Sequence, residues 1–196
     1  MPRTGSTGPS LITLALSMVL MVAGGHDVLA ADVVTIGNGP AVPGSYVNAQ
    51  NLANSLALTS IEITADQTIV IEGEIDLSLS PVWGRTFYNL TLTAPVVDLG
   101  HDILIGDGRL ILQAATIDLN GKVTSDGVLL GGTRLSGTPT QINVLSNSAS
   151  IQQAMDAANE QSPVTVQVSS GQYAENMVIS KHVMLRGDPG SLNVEG

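Results

Sequence analysis

The residues of this chain that could do chemistry are few. His26, His101 and His182 are the only histidines, and no Cys is present. Disulfides, thiolate nucleophiles and thiolate metal sites are therefore excluded. Serine catalysis on a sharp strand-to-helix turn would need G-x-S-x-G, which does not occur. Glycosidic cleavage needs two carboxyl groups flanking one bond, and Glu62, Glu72 and Glu74 are the candidates. Alternation places Glu72 and Glu74 on one outward strand face, where such side chains serve solvation. His101 and His182 fall at expected corners and read as solvated. We assign no catalytic residue, no cofactor and no metal site from the sequence.

A binding role has a better candidate. SPVWGRTFYN, residues 80–89, gathers Trp83, Arg85, Phe87 and Tyr88 in a chain that is only 3% aromatic. Exposed rings beside a guanidinium can stack on a sugar, so these four are the expected ligand contacts, with a polysaccharide or cell-surface glycan as the partner. The competing reading is packing, with the rings covering a side of the fold where a longer loop leaves. Asn89-Leu90-Thr91 is a glycosylation sequon, relevant in a eukaryotic secretory path. A net charge of −10 and the lack of any basic cluster argue against nucleic acid.

These residues need a frame. Residues 1–10 are polar and carry Arg3; residues 11–23, LITLALSMVLMVA, are apolar; Val28-Leu29-Ala30 ends small. That order predicts a signal peptide over 1–30, cleaved after Ala30. The apolar run is too short to span a bilayer comfortably, and no later run is longer. The expected location is secreted, extracellular or cell-surface, with no membrane span after cleavage. The leader holds one Arg and one Asp, so the net charge is −10 with or without it.

Beyond the leader, LTLTAPVVDLGHDILIGD (90–107) aligns with LILQAATIDLNGKVTSD (110–126) at a shift of 20. Leu90 falls on Leu110, Leu92 on Leu112, Val97 on Ile117 and Leu99 on Leu119. A weaker unit holds Ile69-Val70-Ile71 and Ile75-Asp76-Leu77, and Ile61 and Ile63 begin one before it. Period-two alternation puts these side chains on one face of short strands. One such unit cannot bury its face alone; stacked copies can. In register, Asp98 would lie beside Asp118, a like-charge neighbour that costs stability. A cation or Lys122 would relieve it; solvated corner residues would explain it more simply.

Residues 89–123, NLTLTAPVVDLGHDILIGDGRLILQAATIDLNGKV, resemble the LTLxAxxIxLxG repeats of filamentous haemagglutinin-type exoproteins, with a likeness spanning roughly residues 50–130. Those are large secreted right-handed β-helices; the Asn-Pro-Asn-Gly-type motif of their secretion domains is not found here. The resemblance implies an exported scaffold.

Further on, SIQQAMDAANEQSPVTVQVSSGQYAENMVISKHVMLRG, residues 150–187, begins with a helix pattern. Ser150 and Gln153 form a capping-box pair, Ile151, Ala154, Met155 and Ala158 make an apolar stripe, and Pro163 ends the helix. Strands follow from Val164, at Met177-Val178-Ile179 between two turns, and from Val183. The helix is expected as a lid over an open end of the stack. Ser150-Ile151-Gln152, Gly171, Tyr173, Glu175-Asn176 and Leu185-Arg186-Gly187 resemble the opening of pectin-lyase-like proteins, including pectin methylesterases, over about residues 148–190. What this implies is architecture: the catalytic Asp pair, Gln and Arg of those esterases lie on later coils and have no match here.

The expected fold is all-β, a right-handed parallel β-helix of the pectin-lyase-like solenoid type with a short capping helix near residues 150–160. The expected divisions are 1–30, 31–145 and 146–196, the last a truncated start of a second β-helix. The expected function is a non-enzymatic, adhesin-like scaffold, a fragment of a longer protein. The alternatives are the N-terminal part of a carbohydrate-active enzyme, pectinesterase or polysaccharide lyase, and a carbohydrate-binding module using the Trp83 loop.

Overall fold

A computed structural model describes residues 32–39, 45–56, 59–77, 89–106, 108–125 and 128–188. The leader over 1–30 lies outside them. Short runs that alternate β-branched or Leu residues with polar ones form the strands, as such side chains favour a half-buried pleat. In chain order these are β1 (Val33–Gly37), β2 (Ser45–Asn48), helix α1 (Ala49–Leu56), β3 (Ile61–Thr64), β4 (Thr68–Glu72), β5 (Ile75–Asp76), β6 (Asn89–Thr93), β7 (Val96–Leu99) and β8 (Ile103–Leu104). Then come β9 (Arg109–Gln113), β10 (Thr116–Leu119), β11 (Val123–Ser125), β12 (Val128–Leu129), β13 (Leu135–Gly137), β14 (Gln141–Val144), helix α2 (Ile151–Ala157), β15 (Val164–Val168) and β16 (Val183–Gly187).

The fold is all-β, and nearly every pairing is parallel. A large sheet runs β16-β15-β14-β10-β7-β4-β1-β2, a second runs β13-β9-β6-β3, and a third runs β12-β11-β8-β5. Among the described residues, only β12, against β11, is antiparallel. From Ile61 the chain visits the second, large and third sheets in turn, three times over: β3-β4-β5, β6-β7-β8, β9-β10-β11. Each such set is a rung. The shift of 20 read from the sequence is the register of the last two rungs, with Leu90 opposite Leu110 and Val97 opposite Ile117.

Equivalent inward positions form continuous columns. In the large sheet one column passes through Val34, Ile69, Val97, Ile117, Ile142 and Val166, all fully buried. Each buried aliphatic side chain contributes about 1.5–3 kcal/mol of transfer free energy. Corners are tight: a Cβ on Gly121 would lie 2.2 Å from the His101 carbonyl carbon of the rung before.

Two features depart from the sequence reading. Helix α1, with Ala49, Leu52, Ala53 and Leu56 buried, was not expected; it packs against β2 and β5. Its entry is capped by Asn48, whose Oδ1 accepts the Asn51 N–H at 3.1 Å. Helix α2 forms with Ser150 as its cap and its predicted stripe buried. It does not close the stack, however. It contacts β13, β14 and β15, and β14 before it pairs in register with β15 after it. The helix occupies the step at which the preceding rungs placed a third-sheet strand.

The substitution of helix for strand works because of one buried amide. Gln153 Oε1 accepts the Val123 N–H at 3.0 Å, and its Nε2 donates to the Val123 and Leu130 carbonyls, the latter at 2.8 Å. In the earlier rungs a backbone carbonyl of the next rung fills the first role: Ile75 N–H donates to Asp102 and Ile103 N–H to Lys122. Gln153 thus stands in for a peptide group. Residues 170–182 form no strand; they are tied to α2 instead. The Glu175 carboxylate accepts from Ser150 Oγ at 2.7 Å, Ile151 N–H at 2.8 Å and Gln152 N–H at 3.1 Å. At the other end Lys181 Nζ donates to the Ala158 carbonyl at 2.9 Å and to that of Asp156.

Candidate functional site

Trp83, Arg85, Phe87 and Tyr88 lie outside the described residues. His101 and His182 are exposed, as expected of corner side chains. Glu72 and Glu74 do not share a strand face: β4 ends at Glu72, and Gly73 turns the chain with a left-handed φ of 79°. Glu62 is half-buried and accepts from Thr93 Oγ1 at 3.2 Å. No two of these three Glu meet as a catalytic pair.

The residues that do come together are on the outer face of the large sheet. Asp98 in β7 pairs directly with Asp118 in β10. Their neighbours Val97, Leu99, Ile117 and Leu119 point inward and are buried, so both carboxylates point out. Strand spacing puts them about 4.8 Å apart along the sheet. The same column continues through Asn143, Gln167 and Arg186 in one direction and through Val70, Thr35 and Tyr46 in the other.

The two carboxylates are served unequally. Asn143 Nδ2 donates to Asp118 Oδ1 at 2.6 Å, and Gln141 Nε2 donates to Asn143 Oδ1 at 2.8 Å. Asp98 Oδ1 is buried and has no hydrogen-bond partner among the described residues. Burial pushes the Asp98 carboxyl above the usual carboxylate range, and the Asp118 charge adds to this. A hydrogen bond from the Asn120 side chain and the nearby His101 act in the opposite sense. A cation between the two is not supported by further ligands: the described residues contain no cluster of three or more His, Cys, Asp or Glu able to hold a metal.

Chemically this face is a row of outward carboxylates and amides at strand spacing, flanked by Gln141 and Asn120. It offers hydrogen-bond acceptors and donors in line, the groups that a polyhydroxylated ligand engages. The Asp98–Asp118 contact was legible from the shift of 20. The extension through Asn143 and Gln167 was not, because the intervals to those strands differ and hide the register. Among the described residues, no helix is long and apolar enough to cross a membrane.

Comparison with known proteins finds no matching family model, no matching curated protein and no matching solved structure.

Proposed function

We propose that the protein is a right-handed parallel β-helix acting as an exported, non-enzymatic, adhesin-like scaffold that presents its outer face and loops to a polysaccharide or cell-surface glycan. The observation that carries this is the eight-stranded parallel sheet, unbroken from β2 to β16, with its outward polar column. The threefold visiting order of the sheets is what a coil of stacked rungs produces, and parallel crossovers are right-handed in nearly all proteins. The signal-peptide pattern of residues 1–30 supports export. The likenesses of residues 89–123 and 150–187 to filamentous haemagglutinin-type and pectin-lyase-like repeats support the coil.

Two measurements test the reading. N-terminal sequencing of protein exported from a bacterial host should begin at Ala31; an uncleaved, membrane-bound product would overturn the export part. Pull-down on insoluble polysaccharides should retain the protein, with Trp83→Ala weakening retention about tenfold, as expected for an aromatic anchor. No retention of the wild type on any polysaccharide would remove the glycan part.

A second reading is favoured by Asp98 and Asp118. Two adjacent carboxyl groups, one held above its ordinary range, resemble an acid and base with separated roles. On that reading the chain belongs to a carbohydrate-active enzyme of pectinesterase or polysaccharide lyase type, with Asp98 and Asp118, and not residues of a later coil, as the acid–base pair. Release of reducing ends or methanol from pectin, abolished by Asp118→Asn, would support it over the scaffold.

A further inference from the structure

We propose that Asn38 is a modification site. Its side-chain amide is lost by attack of the Gly39 nitrogen, and the aspartate or isoaspartate formed loosens the pairing of β1 with β2. The inference uses backbone chemistry alone and stands or falls separately from the glycan, export and enzyme readings.

An asparagine followed by glycine can react with its own chain. The glycine nitrogen attacks the asparagine Cγ, a C–N bond closes a succinimide ring, and the Cγ–Nδ2 bond breaks. Ammonia leaves with the proton that the glycine nitrogen loses. Water then opens the ring at either carbonyl, giving aspartate or isoaspartate. The attack is intramolecular, so its rate follows how freely the two atoms reach each other. Glycine favours it because no Cβ shields the nitrogen. The sequence holds two such pairs, Asn38-Gly39 and Asn120-Gly121, and the fold treats them oppositely. Asn120-Gly121 sits at a packed corner. The Asn120 N–H donates to the Leu99 carbonyl at 3.0 Å, and the Asn120 carbonyl accepts from Ser146 Oγ at 2.7 Å. The next N–H, that of Lys122, donates to Asp102 Oδ1 at 2.8 Å. The Asn120 side chain is engaged with Asp98. Gly121 is buried and pressed against the His101 backbone. Ring closure there would break several of these contacts at once.

Asn38 and Gly39 follow β1 at the surface, and both are exposed. A Cβ on Gly39 would lie no closer than 3.8 Å to any neighbour, the Tyr46 hydroxyl, and its φ is not left-handed. Two side-chain bonds hold the pair. Asn38 Nδ2 donates to the Glu74 carbonyl at 3.0 Å, and Tyr46 Oη donates to the Gly39 carbonyl at 2.9 Å. The first of these clips the end of β1 to the residue before β5. Neither product has a donor there at neutral pH, so a carboxylate would face the Glu74 carbonyl instead. The new charge joins residues 32–77, which carry Asp32, Glu62, Asp66, Glu72, Glu74 and Asp76 and no Lys, Arg or His. Isoaspartate also inserts a methylene into the main chain between β1 and β2, which pair in register from Val34 opposite Ser45 to Gly37 opposite Asn48. The ammonia is lost to solvent, so the change accumulates with the age of the molecule.

Incubation of the exported protein at mildly alkaline pH, followed by digestion and fragment-ion sequencing, tests it. Asn38 should convert at least about tenfold faster than Asn120, because Asn120 must wait for a local opening. In concentrated urea the two pairs should convert at similar rates, which assigns the difference to the fold and not to the sequence. Gly39→Ala adds a Cβ that the surroundings admit and should slow conversion of Asn38 about tenfold or more, with an unchanged thermal melt. Asn38→Asp stands in for the product. Amide hydrogen exchange in its β1 and β2 should quicken at least about threefold, with β7 and β10 unchanged. An Asn38 that stays intact in the folded protein, an Asn120 that converts as fast, or a Gly39→Ala variant that converts like wild type would each overturn the site. Wild-type exchange in Asn38→Asp would overturn the loosening.

Discussion

Asp98 shows how one residue can weaken the element that holds it. Its Oδ1 is buried without a partner and its neighbour in the ladder is Asp118. Like charges directly opposite cost about 0.2–1 kcal/mol. Asp98→Asn removes the repulsion and supplies a donor facing Asp118, so it should stabilise by about 0.5–1 kcal/mol in urea melts. The pH dependence has a definite sign. The folded-state carboxyl titrates above its ordinary 3.8, so the folded state holds the proton more tightly. Its contribution to stability is greatest at low pH and is lost as pH rises from 3.8 through the raised value. In Asp98→Asn that part of the pH profile should flatten. A residue kept at a cost is expected where an outer face does something besides fold. Gly121 marks the opposite case. A Cβ there would overlap the His101 and Asp102 backbone at 2.2–2.5 Å, so Gly121→Ala should cost about 2–3 kcal/mol or more. Gly73 has open space around its Cβ position and only its left-handed φ to answer for, so Gly73→Ala should cost about 1 kcal/mol.

At the scale of elements, α2 is a helix doing a strand's work. Gln153→Leu keeps the volume and the burial but leaves the Val123 N–H and the Leu130 carbonyl without their partner, while the Val123 carbonyl keeps only the Leu130 N–H. The expected loss is about 2–4 kcal/mol in denaturant midpoint with an unchanged slope. Gln153→Glu should be at least as costly, since a carboxylate would face two carbonyls. This division also explains what the sequence could tell. Strands β6, β7, β9 and β10 were readable because alternation and a fixed interval repeat together from Leu90 to Leu119. The helical stripe of Ile151, Ala154 and Met155 was readable for its spacing. Three things were not. Helix α1 is short and polar in composition, with Asn54 and Ser55 between its buried Leu52 and Leu56. Met177-Val178-Ile179 look like a strand, but Glu175 and Lys181 tie that segment to α2 before it can join a sheet. And Gln153 reads as half of a capping box, while its side chain reaches thirty residues back to Val123. Local pattern predicts what a segment can form; which partner it meets is decided by contacts far away in sequence.

Over the whole molecule, stability should be graded along the stack. Each strand of the large sheet pairs only with its neighbours in that sheet, so inner strands gain two interfaces and edge strands one. The burial pattern follows this: β7 and β10 bury Val97, Leu99, Ile117 and Leu119 to 3% exposure or less, whereas β16 leaves Val183 and Leu185 half-buried and Met184 exposed. Opening should therefore begin at the ends. Native-state hydrogen exchange by mass spectrometry should find the amides of β6, β7, β9 and β10 protected at least about 100-fold more than those of β16. Residues 170–182, held by side chains and not by a ladder, should exchange faster still. Equal protection from β2 to β16 would mean that the chain opens only as one cooperative unit, and the nearest-neighbour account of its stability would fail.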